Sequence, residues 1–401
     1  MASKTKEHSE AQQLLDEGFF IVNEVIPPSE LETVRSSCEK LVERQRELWE
    51  HERGENEPPG GRWETERQPR LGDYEQFIDS ETAPAIEFLY GDKTLGTCLR
   101  IMGAPDASPT SFMLMCNPVE DHGPAEWHRD IHPIDQAPLC GLEQDLQANG
   151  PSYPQWNIPL YDDNVLWVVP GSHRRPNTSE ENEQLCRDRK VPLPRSIPVD
   201  LKAGDGVVYT NTILHWGSNY SCKLRRTVHL GYRSYGGRLF PYVPQMRREA
   251  RYESFLNDKC AALCSRHQLL YNEECNRIEA FYRAIIAKDK GLFYAGLETF
   301  HPGENNRIVA LILFSKLAYK ICIGSHPNRE SYGNDWSQDM VIGPRFSKKE
   351  KELLWSRFES LDHRLQADEE QFVPGFQSGP MHYFFEEIPE GLDVDSFVAN
   401  W

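Results

Sequence analysis

The chain has 401 residues, with 44 Lys or Arg against 62 Asp or Glu, so its formal net charge is −18. This acidic balance excludes the basic footprint of a general nucleic-acid binder or of a protein held on an anionic membrane. Hydrophobic residues make up 39% of the sequence, and no apolar run reaches the roughly 18 residues of a membrane helix. Because the N-terminus has no apolar signal segment, the sequence predicts a cytoplasmic protein without nucleic-acid or membrane partners.

The N-terminal part predicts helices around one short strand. Residues 18–22 form an apolar run of strand type, and Pro27 and Pro28 start a long amphipathic helix. Residues 52–70 are rich in Gly, Pro and charged groups and predict an exposed loop, whereas residues 80–102 predict a second helical region.

The middle of the chain changes to short β-type runs that are separated by turns, a pattern typical of a sandwich or a barrel. The predicted strands are residues 111–116, 155–161, 165–169, 206–210 and 227–232.

Beyond about residue 245 the hydrophobic periodicity is helical again. Helices are predicted at residues 246–270, 272–287 and 305–322, and from Ser347, whose capping box closes on Glu350. The predicted class is therefore α+β, with a domain of residues 1–245 and a mainly helical extension of residues 246–401 that packs on it. Three roles are candidates for the extension: covering the mouth of the β core, contacting substrate, or forming a homodimer.

The segment Glu-Trp-His-Arg-Asp-Ile-His-Pro at residues 126–133 gives the first chemical signal. On a strand, residues two apart project from the same face, so His128 and Asp130 can offer a ring nitrogen and a carboxylate oxygen to one metal ion. A His-x-Asp triplet alone is weak evidence, because such triplets occur by chance in a chain of this length.

An ordered set of signatures accompanies this triplet and makes it specific. The set consists of Glu-Gly-Phe-Phe-Ile-Val at 17–22, Asp-Asp-Asn at 162–164, Pro-Gly-Ser-His at 170–173, Gly-Asp at 204–205, His215 and Arg226. Over roughly residues 12–240 the sequence resembles the phytanoyl-CoA dioxygenase family.

The resemblance implies a double-stranded β-helix, or jelly-roll, core and an oxygenase that uses Fe(II), 2-oxoglutarate and O2. It implies that His128, Asp130 and His215 form the 2-His-1-carboxylate triad, which leaves three coordination positions open. The expected reaction is hydroxylation of an unactivated C–H bond of a small molecule, with 2-oxoglutarate converted to succinate and CO2. Desaturation, cyclisation or epoxidation, and a metal-bearing binding protein without turnover, are the alternatives.

Arg226 is assigned to the distal carboxylate of 2-oxoglutarate, because the resemblance places the cosubstrate arginine eleven residues after the second histidine. The strand pattern agrees, since Arg226 shares a face with Val228 and Leu230, and a cation on an apolar face needs an anionic partner. Arg225 falls on the other face. A register slip of one residue would exchange the two arginines.

Four more residues are candidates for contacts around the metal. By the resemblance, Gln155 or Trp156 lines the cosubstrate pocket, and loop length leaves the choice open. His132, two residues after Asp130, would face the same way on a continued strand. His132 and the neighbouring Arg129 are therefore candidates for substrate contact or for support of the metal ligands.

Two segments near this site leave alternatives open. Residues 133–154 are rich in Gln, Pro and Gly and are a candidate lid over the metal. Residues 223–251 carry eight basic residues against one acid, Glu249. In so acidic a chain, charge balance is favoured over a rim for an anionic substrate.

Overall fold

The computed structural model of the chain describes residues 9–72, 74–110, 112–221, 223–240, 252–303, 305–324 and 338–401. The predicted domain boundary at residues 245–246 lies outside the described residues. Within them the chain combines helices with antiparallel sheets, as the sequence predicts. No described helix is both long enough and apolar enough to cross a bilayer.

Ten strands occur in the described residues, and each predicted strand has a counterpart among them. They are β1 (Phe19–Val22), β2 (Arg70–Leu71), β3 (Ala107–Pro109), β4 (Met113–Cys116), β5 (Pro154–Pro159), β6 (Leu166–Val168), β7 (Ile197–Pro198), β8 (Gly206–Thr210), β9 (His215–Gly217) and β10 (Arg226–Ser234).

The strands form two antiparallel sheets. The larger has the order β1-β8-β5-β10-β4-β2, with β3 also paired to β10, and the smaller has the order β7-β6-β9. His128 pairs with His215 of β9, so the His-x-Asp segment adds an edge to the smaller sheet. In the larger sheet Thr227 lies opposite Met115 and Pro159, which fixes the faces of the flanking residues.

Thirteen helices with α-type hydrogen bonding lie in the described ranges. They are α1 (Glu10–Glu17), α2 (Pro28–His51), α3 (Arg62–Thr65), α4 (Pro84–Glu87), α5 (Thr97–Met102), α6 (Leu139–Asn149), α7 (Ser179–Arg187), α8 (Asp258–Ala287), α9 (Lys290–Phe300), α10 (Arg307–Cys322), α11 (Gln338–Ile342), α12 (Lys348–Leu365) and α13 (Val394–Ala399).

The predicted helix boundaries agree with the structure where a capping residue defines them. Ser347 accepts from the backbone of Glu350 and caps α12, and Pro28 begins α2. The break predicted near residue 271 is wrong, because α8 runs through Tyr271 as one helix of 30 residues. Residues 52–70 are also not all loop, since they contain α3.

One face of the larger sheet is covered by the N-terminal helices. Trp156 of β5 and Val228 and Leu230 of β10 share a core cluster with Val34 and Leu41 of α2. The apolar side of these strands is therefore buried against helices outside the sheets. This packing decides which side chains point toward the smaller sheet.

Helix α10 of the C-terminal region packs against part of the segment that the sequence suggested as a lid. Residues 139–149 form α6, and its Leu139 and Leu142 share a core cluster with Val309 and Leu313 of α10. The segment is therefore held as a helix against the C-terminal region.

Glu143 of α6 is a buried carboxyl group whose Oε1 has no hydrogen-bond partner in the described structure. Burial raises its pKa to about 7, Arg129 lowers it in part, and repulsion from Glu386 adds to the rise. Because the pKa is raised in the folded state, ionisation costs stability as the pH rises from the unfolded value through about 7.

The variant Glu143→Gln cannot ionise, and we expect it to be more stable than the parent at pH 8 but not at pH 4. The difference at pH 8 should reach up to about 3 kcal/mol, from about 1.4 kcal/mol per pKa unit. Urea unfolding of both proteins at several pH values measures it. Glu183→Gln, at an exposed position of α7, is the matched control for the substitution itself. Equal pH profiles for Glu143→Gln and the parent would contradict the assignment.

Candidate metal centre

The side chains of His128, Asp130 and His215 converge, with one ligand atom from each lying within 4.8 Å of the others. Nε2 of His128 is 3.4 Å from Oδ1 of Asp130, and Nε2 of His215 is 3.4 Å from Oδ2. Backbone pairing brings the two histidines together, because each donates its amide N–H to the carbonyl of the other at 3.0 Å.

Hydrogen bonds to main-chain carbonyls orient both imidazole rings. Nδ1 of His128 lies 2.8 Å from the carbonyl of Glu126, and Nδ1 of His215 lies 3.0 Å from that of Ile213. A carbonyl can only accept, so each Nδ1 carries a proton, and the neutral form of each ring presents the lone pair of Nε2 to the centre. This is the tautomer that a metal-binding histidine needs.

The charges at the centre suit a cation. Burial lowers the pKa of His215 to about 4, so this ring is neutral near pH 7. Burial acts in the opposite direction on Asp130, but the electrostatic interaction with the His215 ring and a hydrogen bond from Nε2 of His128, both made when those rings are protonated, hold the pKa of its carboxyl well below the usual value. Asp130 is therefore ionised. Nε2 of Gln155 donates to its Oδ2 at 2.8 Å and fixes the carboxylate.

The three side chains line a cavity of about 400 Å³. Asp130 is the one acid among the described lining residues, whereas Arg70 and Arg225 are both present. Arg225 is also paired with Asp163, so the charges of Asp130 and Asp163 balance those of Arg70 and Arg225. Two guanidinium groups at the cavity wall can still pair with a carboxylate ligand.

Arg225 lines the cavity and Arg226 does not, which differs from the sequence-based expectation. Arg226 points to the helix-covered side, where its Nε and Nη2 donate to Oε2 of Glu39 on α2 at 3.2 and 3.0 Å. The apolar face that Arg226 shares with Val228 packs on helices outside the sheets. The apolar side of β10 is therefore not the cavity side, and the assignment of Arg226 to the cosubstrate is corrected.

Arg225 has a buried, unpaired hydrogen-bonding atom. Its Nε donates to Oδ2 of Asp163 at 2.8 Å, and Thr227 Oγ1 donates to the same oxygen at 2.9 Å. Nη1 of Arg225 has no partner in the described structure. A buried guanidinium with a spare donor beside an open cavity is suited to a carboxylate ligand.

Gln155 and Trp156, left as alternatives by the sequence, point to opposite sides of β5. Gln155 lines the cavity and contacts Asp130, as described above. Trp156 is fully buried on the helix side, where its Nε1 donates to Sγ of Cys98 at 3.2 Å. The structure therefore does not bring Trp156 to the cavity.

His132 and Arg129 also separate. His132 lines the cavity, and its Nδ1 lies 3.0 Å from Oγ of Ser378 in the C-terminal region. Arg129 is fully buried, and its guanidinium donates to the carbonyls of Ser172 and Thr212. Arg129 therefore fixes the Pro-Gly-Ser-His turn beside β9 and does not reach the cavity.

The sequence reasoning missed several polar residues of the cavity, among them Arg70, His229 and Gln377. His229 could have been found by alternation, because it follows Thr227 by two residues on β10. Burial lowers the pKa of His229 to about 4, and its Nδ1 lies 2.8 Å from Oδ1 of Asn157. No sequence pattern links Arg70 or Gln377 to the centre.

His128, Asp130 and His215 form a candidate non-haem metal centre of the 2-His-1-carboxylate type. The three residues lie on paired segments beside the smaller antiparallel sheet. Two nitrogen donors and one ionised carboxylate fit Fe(II), and the spare donor of Arg225 fits the cosubstrate's carboxylate. The chain belongs to the phytanoyl-CoA dioxygenase family, whose model matches residues 14–227, just over half of the sequence. Fe(II), 2-oxoglutarate and O2 are the cofactor and cosubstrates of this family.

Several solved structures are similar to the β core. AviO1 from Streptomyces viridochromogenes Tue57 is 22% identical, with 56% of this chain and 93% of that chain covered and a TM-score of 0.40. The non-haem monooxygenase ThoJ is 15% identical, with coverages of 66% and 98% and a TM-score of 0.41. The epimerase SnoN from nogalamycin biosynthesis is 16% identical, with coverages of 57% and 80% and a TM-score of 0.39. No curated protein matches the chain.

Proposed function

We propose that this protein is an Fe(II)- and 2-oxoglutarate-dependent dioxygenase that hydroxylates an unactivated C–H bond of a small molecule. The observation that carries the proposal is the convergence of His128, Asp130 and His215 in a cavity that also contains Arg225. We also propose that the two facing sheets form a double-stranded β-helix. A cytoplasmic location and a homodimer through residues 246–401 stay predictions from the sequence.

Each polar group has a role in this proposal. Nε2 of both histidines and the Asp130 carboxylate would hold Fe(II), and Gln155 keeps that carboxylate in place. Arg225 would pair with the distal carboxylate of 2-oxoglutarate. When bound, Fe(II) and 2-oxoglutarate supply the oxidising chemistry together with O2. The surrounding protein orients the substrate carbon and keeps bulk water away from it.

Asp130 also bears on the reaction outcome. A carboxylate at this position leaves no vacancy for a halide among the three protein ligands, so its presence favours oxygenation over halogenation.

The test is anaerobic reconstitution with Fe(II) and 2-oxoglutarate, followed by exposure to O2 with a metabolite extract. We expect a weak visible charge-transfer band from the chelated keto acid before O2 is added. Extract-dependent succinate formation, with a product 16 mass units heavier than its substrate, is expected afterwards. A product lighter by two mass units would indicate desaturation or cyclisation instead. A chain that gives no band at saturating Fe(II) and 2-oxoglutarate is not this kind of enzyme.

A further inference from the structure

The C-terminal region reaches the metal centre through a short segment, residues 374–378, which we call the C-terminal strap. Gly375 accepts from the amide of Arg129 at 2.8 Å, and the amide of Gln377 donates to the carbonyl of Arg129 at 3.2 Å. Arg129 lies between the two metal-ligand positions of the His-x-Asp segment. The strap therefore pairs with this segment on the edge opposite β9.

The backbone of the strap leaves little room for change. Gly375 has φ +81°, and a Cβ there would lie 3.0 Å from Leu214 and 3.1 Å from Leu185. At the end of the strap, Oγ of Ser378 contacts Nδ1 of His132 at 3.0 Å. The strap lies about 150 residues beyond the end of the family match at residue 227.

Gln377 stands where two cavities meet. A second, outer cavity of about 490 Å³ adjoins the inner one that contains the metal centre. The residues that line both define a neck between the cavities, and they are Gln68, Arg70, His128, Tyr220 and Gln377. A substrate that extends from one cavity into the other would lie beside them.

Every side chain of the neck is polar. An alkyl chain lodged there would take hydrogen-bonding groups out of water without replacing their partners, which is unfavourable. A molecule with its own hydroxyl, amide or anionic groups would replace those partners. The neck therefore favours a polar substrate over a fatty acyl chain.

We propose that the C-terminal strap is the substrate-recognition element of this active site, with the Gln377 carboxamide contacting a polar small molecule in the neck. The substrate part of this inference rests on the proposed oxygenase function. The position of the strap rests only on its backbone hydrogen bonds with Arg129. Of the three roles open to residues 246–401, it selects substrate contact.

The first experiment needs no substrate and tests whether the strap supports the metal-ligand segment. Gly375→Ala should increase amide hydrogen exchange in a peptide covering residues 127–132 and weaken Co(II) binding, used as a probe, by about tenfold, as for other residues that orient metal ligands. Gly391→Ala is the matched control, because Gly391 also has positive φ but a Cβ there meets Arg364 at 3.6 Å and nothing closer. Unchanged exchange and Co(II) affinity in Gly375→Ala would overturn the supporting role.

If Gly375→Ala does not fold, Ser378→Ala serves in its place. It removes one hydroxyl that contacts His132 and leaves the backbone of the strap intact. Faster exchange at residues 131–132 supports the role, and exchange equal to the parent's overturns it.

The second experiment tests the substrate class with a metabolite extract partitioned between water and an organic solvent. We expect the aqueous fraction to stimulate succinate formation. For the stimulating compound, Gln377→Leu should raise KM by about tenfold, because it replaces a hydrogen-bonding partner with an apolar group, and should change kcat less. The 2-oxoglutarate charge-transfer band should be unaffected.

The matched control is Gln371→Leu, the same substitution in the same region but outside both cavities. Stimulation by the organic fraction alone would overturn the polar class, and equal KM values for Gln377→Leu and Gln371→Leu would overturn the role of Gln377. Absence of the band in the parent protein would instead reject the oxygenase function, while the exchange experiment still decides whether the strap supports the His-x-Asp segment.

Discussion

Asp130→Ala should abolish the charge-transfer band with 2-oxoglutarate and all O2-dependent succinate formation. The substitution removes the one carboxylate at the centre and leaves two neutral nitrogen donors for a divalent cation. Residues that merely orient metal ligands cost about 10- to 100-fold in affinity when they are changed, so loss of a ligand should cost at least about 100-fold. Fe(II) titration followed by the band and by bound-metal analysis measures the effect.

His215→Ala should behave in the same way, whereas His51→Ala on the exposed end of α2 should bind Fe(II) like the parent. Zn²⁺ can occupy such a donor set after purification, so the metal present at that stage does not identify the native one. A full band in Asp130→Ala at normal iron content would remove Asp130 from the metal ligands.

The convergence of the three residues of the candidate metal centre could be anticipated because their signal is local. His128 and Asp130 are two residues apart on an extended segment, and the ordered signatures after them single out His215. The strands and the capped helices were also predictable, since alternation and capping are properties of short stretches of sequence.

The choice between Arg225 and Arg226 required knowledge of tertiary packing. Alternation correctly separated the two arginines onto opposite faces of β10, but it did not say which face looked into the cavity. In an enclosed metal site the inner face is polar, and on this strand the apolar face is the outer one, buried under α2. The same inversion separates Gln155 from Trp156 on β5.

The contribution of the C-terminal region had no sequence signal. Gln377 and Ser378 meet the metal-ligand segment across about 250 residues of chain, Gln377 through its main-chain amide and Ser378 through its hydroxyl. Such a contact becomes visible only once the helices of the extension have packed against α6.

Arg225 and Arg226 should differ in their effect on 2-oxoglutarate binding. If Arg225 holds the distal carboxylate of 2-oxoglutarate, Arg225→Gln loses a charge-assisted interaction worth about 1.5 to 3 kcal/mol. Because about 1.4 kcal/mol corresponds to a factor of ten, the apparent 2-oxoglutarate requirement should rise at least about tenfold. Titration of 2-oxoglutarate at fixed Fe(II), followed by the charge-transfer band, measures it.

Arg226→Gln is the matched control, and we expect it to change the stability of the protein instead of the binding of 2-oxoglutarate. Its guanidinium is bonded to Glu39 on the helix side, so the substitution should lower the free energy of unfolding and leave the 2-oxoglutarate requirement near that of the parent. Arg225→Gln also disturbs the ion pair with Asp163, and a loss of binding through misfolding has to be separated from loss of the carboxylate contact.

A short 2-oxo acid without the distal carboxylate makes that separation. It should bind the parent protein more weakly than 2-oxoglutarate does, and it should lose this disadvantage in Arg225→Gln, because neither ligand can then form the ion pair. A folding defect would weaken both ligands equally. If Arg226→Gln produces the large shift in the 2-oxoglutarate requirement and Arg225→Gln does not, the cosubstrate lies on the helix side of β10, and the cavity around His128, Asp130 and His215 is not where its distal carboxylate binds.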